Sequence, residues 1–414
     1  MSTLISLKEF LTMKPLLFLT SVPALFWAVT STSSSNSTFR CTTNLDCNLN
    51  GICSPSTQTC VCDPGWTTPT CGALDLLPAK LGSGYNHTAS NTSSWGSKII
   101  HSPTNPKQLH LFLAEFTHHC GLDYWSPYSR IIHATSLLGP LGPYTFEQEV
   151  VGTFAHNPTV IWSPADEKYL LYYIGCPVQV NATCTGPSFS CGPGNFINGE
   201  SGISVLSSPD LWTWTPHGQV LMGSDDEEWD ADITNPSPFP LFSPSDKTQE
   251  MLLVFRGCPY NCSGNELISL STASSFLGPY TKLSSPLFPE GNEDPFVWRD
   301  KRGNWHMLLH SLEADGGFGS GPKVGRHAFA EAMEGPWRFD NETLAFSTEV
   351  EFEDGSVKGY FRRERPQLFF SEDGEARPLF LTTGVQEVGS GMSYSLIQPI
   401  EGAREWERSF GFEV

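Results

Sequence analysis

Residues 291–298 read GNEDPFVW and set two adjacent carboxylates, Glu293 and Asp294, in front of a proline and an apolar run. Paired carboxylates are suited to proton transfer: an acid that is buried or flanked by negative charge keeps its proton near neutral pH, and a second carboxylate can accept one. Successive strand residues face opposite sides, so the dipeptide also reads as Asp294 closing a turn with Glu293 alone facing a cleft. Further carboxylates lie in FRRERPQL, where Glu364 stands between Arg363 and Arg365, and in the acidic run SDDEEWDAD (224–232), which holds Asp230 and Asp232. Their plainer readings are a salt-bridged glutamate and a solvated loop.

The elements that would bring these groups together are visible as a repeat. HNPTVIW (156–162), TNPSPFPLF (234–242), EDPFVW (293–298) and RPQLFF (365–370) each place polar residues before a proline and a short apolar run. The prolines are 78, 59 and 71 residues apart. After each comes a turn and a second β-rich stretch: EKYLLYYIG, QEMLLVFRG, NWHMLLHS and ARPLFLTTG. A second series interleaves with the first: ATSLLGPLGPYTF, VLSSPDLWTWTP, LSTASSFLGPYTKL and FAEAMEGPWRF. A repeat of this length with about four strands is a propeller blade. With a first blade near 85–150, residues 80–414 predict a five-bladed β-propeller, and the fold class is all-β. Side chains just before each repeated proline then converge on one central funnel. His156 and Asn157 suit hydrogen bonds to hydroxyl groups there, Trp95 in SSWGS offers a stacking face, and Arg363 and Arg365 can grip an anion bidentately.

Composition agrees: Pro (32), Gly (37) and Trp (12) are plentiful and charged residues make up only 16%. A formal charge of −20 argues against nucleic acid and anionic lipid as partners. Lys8 and Lys14 precede the apolar run PLLFLTSVPALFWAV, which predicts a signal peptide or signal anchor over residues 1–30 and entry to the secretory pathway; residues 31–40 read as a Ser/Thr-rich linker. Secreted or cell-surface placement fits twelve cysteines and six N-x-S/T sequons, at Asn36, Asn86, Asn91, Asn181, Asn261 and Asn341. Apart from that possible N-terminal anchor, no stretch predicts contact with a membrane.

Six cysteines crowd into residues 41–71, a segment with too few apolar residues for a core of its own. Its ending, Cys60-Val61-Cys62-Asp63-Pro64-Gly65-Trp66, resembles that of an EGF-like domain, here residues 41–72. The resemblance implies the pairs Cys41–Cys53, Cys47–Cys60 and Cys62–Cys71, with Thr68 standing where a second glycine is usual. The segment before Cys41 lacks the acidic residues of calcium-binding members, and zinc is disfavoured by the oxidising compartment. The module reads as a spacer or adhesion element. Cys258–Cys262 is a natural short-loop pair, while the pairing of Cys120, Cys176, Cys184 and Cys191 stays open. Glu115, His118 and His119 in LFLAEFTHHCG have no third ligand partner by spacing, so they are read as structural and no metal or cofactor is expected.

The interleaved repeats of residues 85–400, notably HNPTVIWSPADEKYLLYYIG and SSPDLWTW, resemble the five-bladed propeller of glycoside hydrolase family 43 and its relatives. In that family a fourth-blade E-G-P supplies a general acid, and Glu293-Asp294-Pro295 falls at the corresponding place, which implies Glu293 as the acid. The family takes a base from a first-blade Asp-Pro, where this chain reads NHTASNTSSWGSKII. It takes a further carboxylate from a third-blade Asp-Pro, where this chain has Asn235. Asp232 and Glu364 are the replacements at hand. The resemblance implies hydrolysis of a polysaccharide or other glycan, neutral or anionic; the departures favour an inactive propeller that binds glycan at a cell surface.

Overall fold

A computed structural model of the chain describes residues 39–186, 201–312 and 324–413. The expected leader, most of the linker, the Asn36 sequon and Cys191 lie outside the described residues. Five antiparallel four-stranded sheets stand as the blades of a propeller. Their innermost strands are Ser94–His101, His156–Ser163, Asp232–Phe242, Asn292–Arg299 and the long Val357–Phe370. Each neighbouring pair of blades encloses an apolar layer, such as Phe112 and Ile131 against Val160 and Leu171 between blades 1 and 2. Between blades 3 and 4, Leu252 and Val254 meet Met307 and Leu309. A blade is thus covered on both faces, which is why strands such as Leu109–Phe116 are buried at every residue rather than at alternate ones.

Blade 5 completes the ring with help from the segment preceding blade 1. The Leu77 amide donates to Pro399 O and the Tyr85 amide to Ser395 O, each at 2.9 Å, so residues 77–85 run along the outer strand Ser393–Pro399. This ties the beginning of the ring to its end.

The disulfide module contains the bonds Cys41–Cys53, Cys47–Cys60 and Cys62–Cys71. Thr68 adopts a left-handed φ of +79°, and its hydroxyl accepts the Gly72 amide at 3.1 Å, so a side-chain bond supports the turn there. Far from being a free spacer, the module is packed onto blades 4 and 5. Trp66 stacks on Trp298 with ring centroids 6.2 Å apart, the Gly65 amide donates to Glu401, and Arg302 pairs with Asp63. Its cysteines share one apolar cluster with Leu308 and Leu381 of the propeller. Elsewhere Cys258 pairs with Cys262, Cys120 pairs with Cys184, and Cys176 is also disulfide-bonded. The sequon residues Asn86, Asn91, Asn181, Asn261 and Asn341 are all exposed.

Candidate active site

The repeated proline marks a repeated backbone irregularity. Gly96, Asn157, Asn235, Asp294 and Arg365 occupy the same place in the five innermost strands, and all have φ between +54° and +58°. At each, strand pairing slips, for example from Glu293↔His310 to Phe296↔Leu308. Glycine, asparagine and aspartate tolerate this left-handed conformation best, and four of the five positions are filled accordingly. In blades 2 to 5 the residue that follows is a proline, which has no amide to contribute to the ladder, so the bulge costs no hydrogen bond there; in blade 1 it is Ser97. The slip also abolishes the alternation of faces: Glu293 and Asp294, though adjacent, both line one cavity of ≈ 470 Å³ at the end of the propeller axis.

The two carboxylates have different surroundings. Asp294 is held on all sides: Arg365 donates its amide to Oδ2 at 3.0 Å and Nη1 to Oδ1 at 2.9 Å, and Asn235 Nδ2 also donates to Oδ1. With its lone pairs so occupied, Asp294 is a positioning group. Glu293 instead faces His310, whose Nδ1 lies 3.0 Å from Oε1. On the other side of the ring, His310 Nε2 lies 3.9 Å from Glu364 Oε1. Burial works against the imidazolium, but Glu364, Glu293 and Asp294 outweigh it and push His310 up to about 9. Burial pushes Glu364 up to about 7, against the opposing influence of His310.

A third glutamate, Glu266, lines the same cavity just before the blade 3 strand Leu267–Ala273. Burial also raises it to about 7, although Arg256 Nε stands 3.1 Å away and opposes the shift. His156 is kept well below its ordinary value by burial and by Arg365. Its Nδ1 pairs with Ser129 Oγ at 3.0 Å, and its ring packs against Trp125 at 4.7 Å. Asn157 Oδ1 is buried and has no hydrogen-bond partner among the described residues, which suits an acceptor for a ligand hydroxyl. Trp95 forms a wall, seated against Gly384, where a Cβ would fall 2.5 Å from the indole.

Several expected residues are placed elsewhere. Asp232 is buried outside the cavity; its Oδ2 accepts the Asn261 amide at 2.5 Å and braces the Cys258–Cys262 loop, and burial raises it to about 6. Asn235 serves Asp294 rather than the cavity. Arg363 is fully buried on the far side of its strand, donating Nη1 to Ser347 O and Nη2 to Gln398 Oε1; its neighbour Arg362 lines the cavity. At the first-blade position, the flank of Arg365 fills the space over Gly96, 3.1 Å from where a Cβ would stand. Glu115 is structural, held by Arg130 at 2.6 Å and by the Tyr85 hydroxyl at 2.8 Å.

Sequence reasoning missed His310, Glu266, Arg256, Arg362 and Trp125. His310 and Arg256 had an available signal: each falls in the second strand of its repeat, NWHMLLHS and QEMLLVFRG, opposite the proline-bearing strand, and Arg362 adjoins the Arg363 already singled out in FRRERPQL. Glu293, Asp294, His310 and Glu364 offer ligand atoms within 4.8 Å of one another, so this is where a divalent cation would find donors, in competition with the His310 proton.

No family model matches the chain, and no curated protein matches it. Solved structures do share its fold. The catalytic domain of a family 62 α-L-arabinofuranosidase from Coprinopsis cinerea superposes with a TM-score of 0.52 at 13% identity, covering 81% of this chain and 98% of that one. A family 117 glycoside hydrolase of the marine bacterium Zobellia galactanivorans gives 0.51 at 14%, covering 80% and 90%. An α-L-arabinofuranosidase from Podospora anserina gives 0.50 at 13%, covering 79% and 96%. The chain therefore has the five-bladed propeller fold of these hydrolases.

Proposed function

We propose that the protein is a secreted or cell-surface glycosidase that cleaves a polysaccharide or other glycan by carboxylate acid/base catalysis. One observation carries the reading: glutamates from blades 3, 4 and 5 meet in one cavity, and burial holds two of them, Glu266 and Glu364, near 7. A carboxyl with that pKa is about half protonated at neutral pH, so one of the pair can hold a proton for the departing glycosidic oxygen while the other is ionised. Glu364 is our proton donor. Glu293, expected as the acid, instead touches the His310 cation and suits a carboxylate that stabilises positive charge developing on the sugar.

Glycosidases that hold a water between their carboxyl groups keep them about 6.5–9.5 Å apart. Glu293 and Glu364 oxygens come within 4.8 Å of each other, too close for that role, so we assign the opposing base to Glu266 in its ionised form, which lines the same cavity. Asn157 and Trp95 would position the sugar, and Arg256 and Arg362 extend the class to glycans carrying carboxylate or sulfate. The fold shared with arabinofuranosidases and a family 117 hydrolase supports sugar as the ligand, and the disulfides and exposed sequons support an extracellular setting.

A second reading, a glycan-binding propeller without activity, is favoured by Gly96 and Asn235, which stand where carboxylates were expected. Release of reducing ends from a panel of neutral and sulfated polysaccharides separates the two. Hydrolysis by the wild type, abolished in Glu364→Gln and Glu266→Gln with binding retained, supports the enzyme. Binding without any release by the wild type leaves only the second reading.

A further inference from the structure

The propeller axis has a second mouth. Beyond each bulge the innermost strands continue, and Lys98, Val160, Phe239, Phe296 and Leu368 line a separate cavity of ≈ 430 Å³. Between the two cavities the axis is closed by polar side chains. Thr159 Oγ1 donates to Gln367 Oε1 at 3.1 Å, Gln367 Nε2 donates to Pro158 O at 3.3 Å, and Ser237 Oγ accepts the Val297 amide at 2.8 Å. Among the described residues, none lines both cavities.

The second cavity is apolar and aromatic, with one basic group set in its wall. Phe296 lies nearly parallel to Phe370, at 19° and 6.1 Å, and to Trp298, at 29° and 5.8 Å. Lys98 Nζ sits 4.5 Å above the Phe296 ring centroid and donates to Leu368 O at 2.9 Å. An ammonium has three donors, and among the described residues no carboxylate lies within ion-pair distance of this one. The other charged groups at this mouth, His101 and Glu372, are paired with each other at 2.9 Å. Burial without a counter-charge pushes the Lys98 amine down to about 7, so an anion brought against it would restore its proton.

We infer that this mouth binds a small aromatic carboxylate, its ring against the Phe239 and Phe296 side chains and its carboxylate on Lys98 Nζ. Aromatic walls favour a flat apolar body, and the single unneutralised amine favours a single negative charge. A neutral sugar would leave most of its hydroxyls unpaired against these walls, and a multiply charged anion would exceed the one available cation.

The test is calorimetric titration of the whole protein with 2-naphthoate and with its neutral analogue 2-naphthylmethanol, on wild type and Lys98→Met. Saturable 1:1 binding of naphthoate is expected, about tenfold or more tighter than the alcohol, since a hydrogen bond to a charged group contributes at least that factor. In Lys98→Met, naphthoate should fall to the level of the alcohol, whose own affinity stays unchanged. No saturable binding to wild type, equal affinity for acid and alcohol, or an undiminished Lys98→Met would each overturn the proposal. If Lys98→Met does not fold, the acid-to-alcohol comparison on wild type still decides. Hydrogen exchange locates the site: protection by naphthoate at residues 98–101 and 296–299 supports it, and protection confined to 256–266 and 362–365 overturns it.

Discussion

Asp294 and Arg365 stand at equivalent bulges of neighbouring blades, both at φ +58°, and are joined through Arg365's amide and its guanidinium. Both are almost fully buried. The clamp fixes the floor of the site by tying blade 4 to blade 5 at the axis. It also accounts for an arginine in a left-handed conformation, which arginine seldom adopts: the contacts to Asp294 hold it there.

Removing one member of the clamp should therefore cost more than a surface ion pair would. Arg365→Met leaves the Asp294 charge buried and is expected to destabilise the protein by about 3–5 kcal/mol, against a smaller loss for Asp294→Asn, which keeps an acceptor for Arg365. Urea unfolding of both variants checks the order.

His310 should govern the pH dependence of catalysis without touching substrate. Its positive charge lowers both Glu364 and Glu266. In His310→Asn that influence is gone, both carboxyls rise further, and both limbs of the kcat/KM profile, the acidic one set by the base Glu266 and the alkaline limb, which reports loss of the donor's proton from Glu364, should move to higher pH. A merely structural role would lower activity and leave the limbs in place.

Stability should fall on acidification below pH about 6.5, where unfolded histidines gain protons. Burial depresses His110 to about 4 and His133 to about 3, and also lowers His156, His306 and His327, so the folded state takes up these protons only at lower pH. Their contribution is complete above the unfolded value and lost as pH falls. Glu266, Glu364, Asp232, Asp75 and Glu407 are raised and act in the opposite direction, but with His217, also lowered by burial, the histidines outnumber them. Between about pH 7 and 9 His310, raised to about 9, loses its contribution with rising pH, while Lys98, lowered to about 7, gains, so the curve should be flat. Urea midpoints from pH 4 to 9 test this, and Lys98→Met should turn the flat region into a decline.

The disulfide module and the propeller should unfold together. Trp66 lies against Trp298 within the blade 4–5 apolar cluster, so Trp66→Ala is expected to cost about 3–5 kcal/mol. A single calorimetric transition that moves down as a whole is the expected result. Two transitions, with only the smaller one shifted, would show an independent module.

The sequence by itself determined the repeat, and with it the blade count and the all-β class, because each blade must present the same apolar pattern to two neighbours. It also marked the places where polar residues gather, since in blades 2 to 5 the repeated proline follows them at the break in the ladder. What only the tertiary structure decided is which side each residue faces and which distant group it meets. The left-handed bulge turned both Glu293 and Asp294 into the cavity, ordinary strand alternation put Arg362 on the same side as Glu364 and Arg363 on the other, and the Cys258–Cys262 loop took Asp232. Glu266 and His310 became part of the site through blade packing and strand pairing, and burial then set the proton affinities of the groups that meet there. Those are properties of the closed ring, in which groups far apart in the chain share one poorly solvated space.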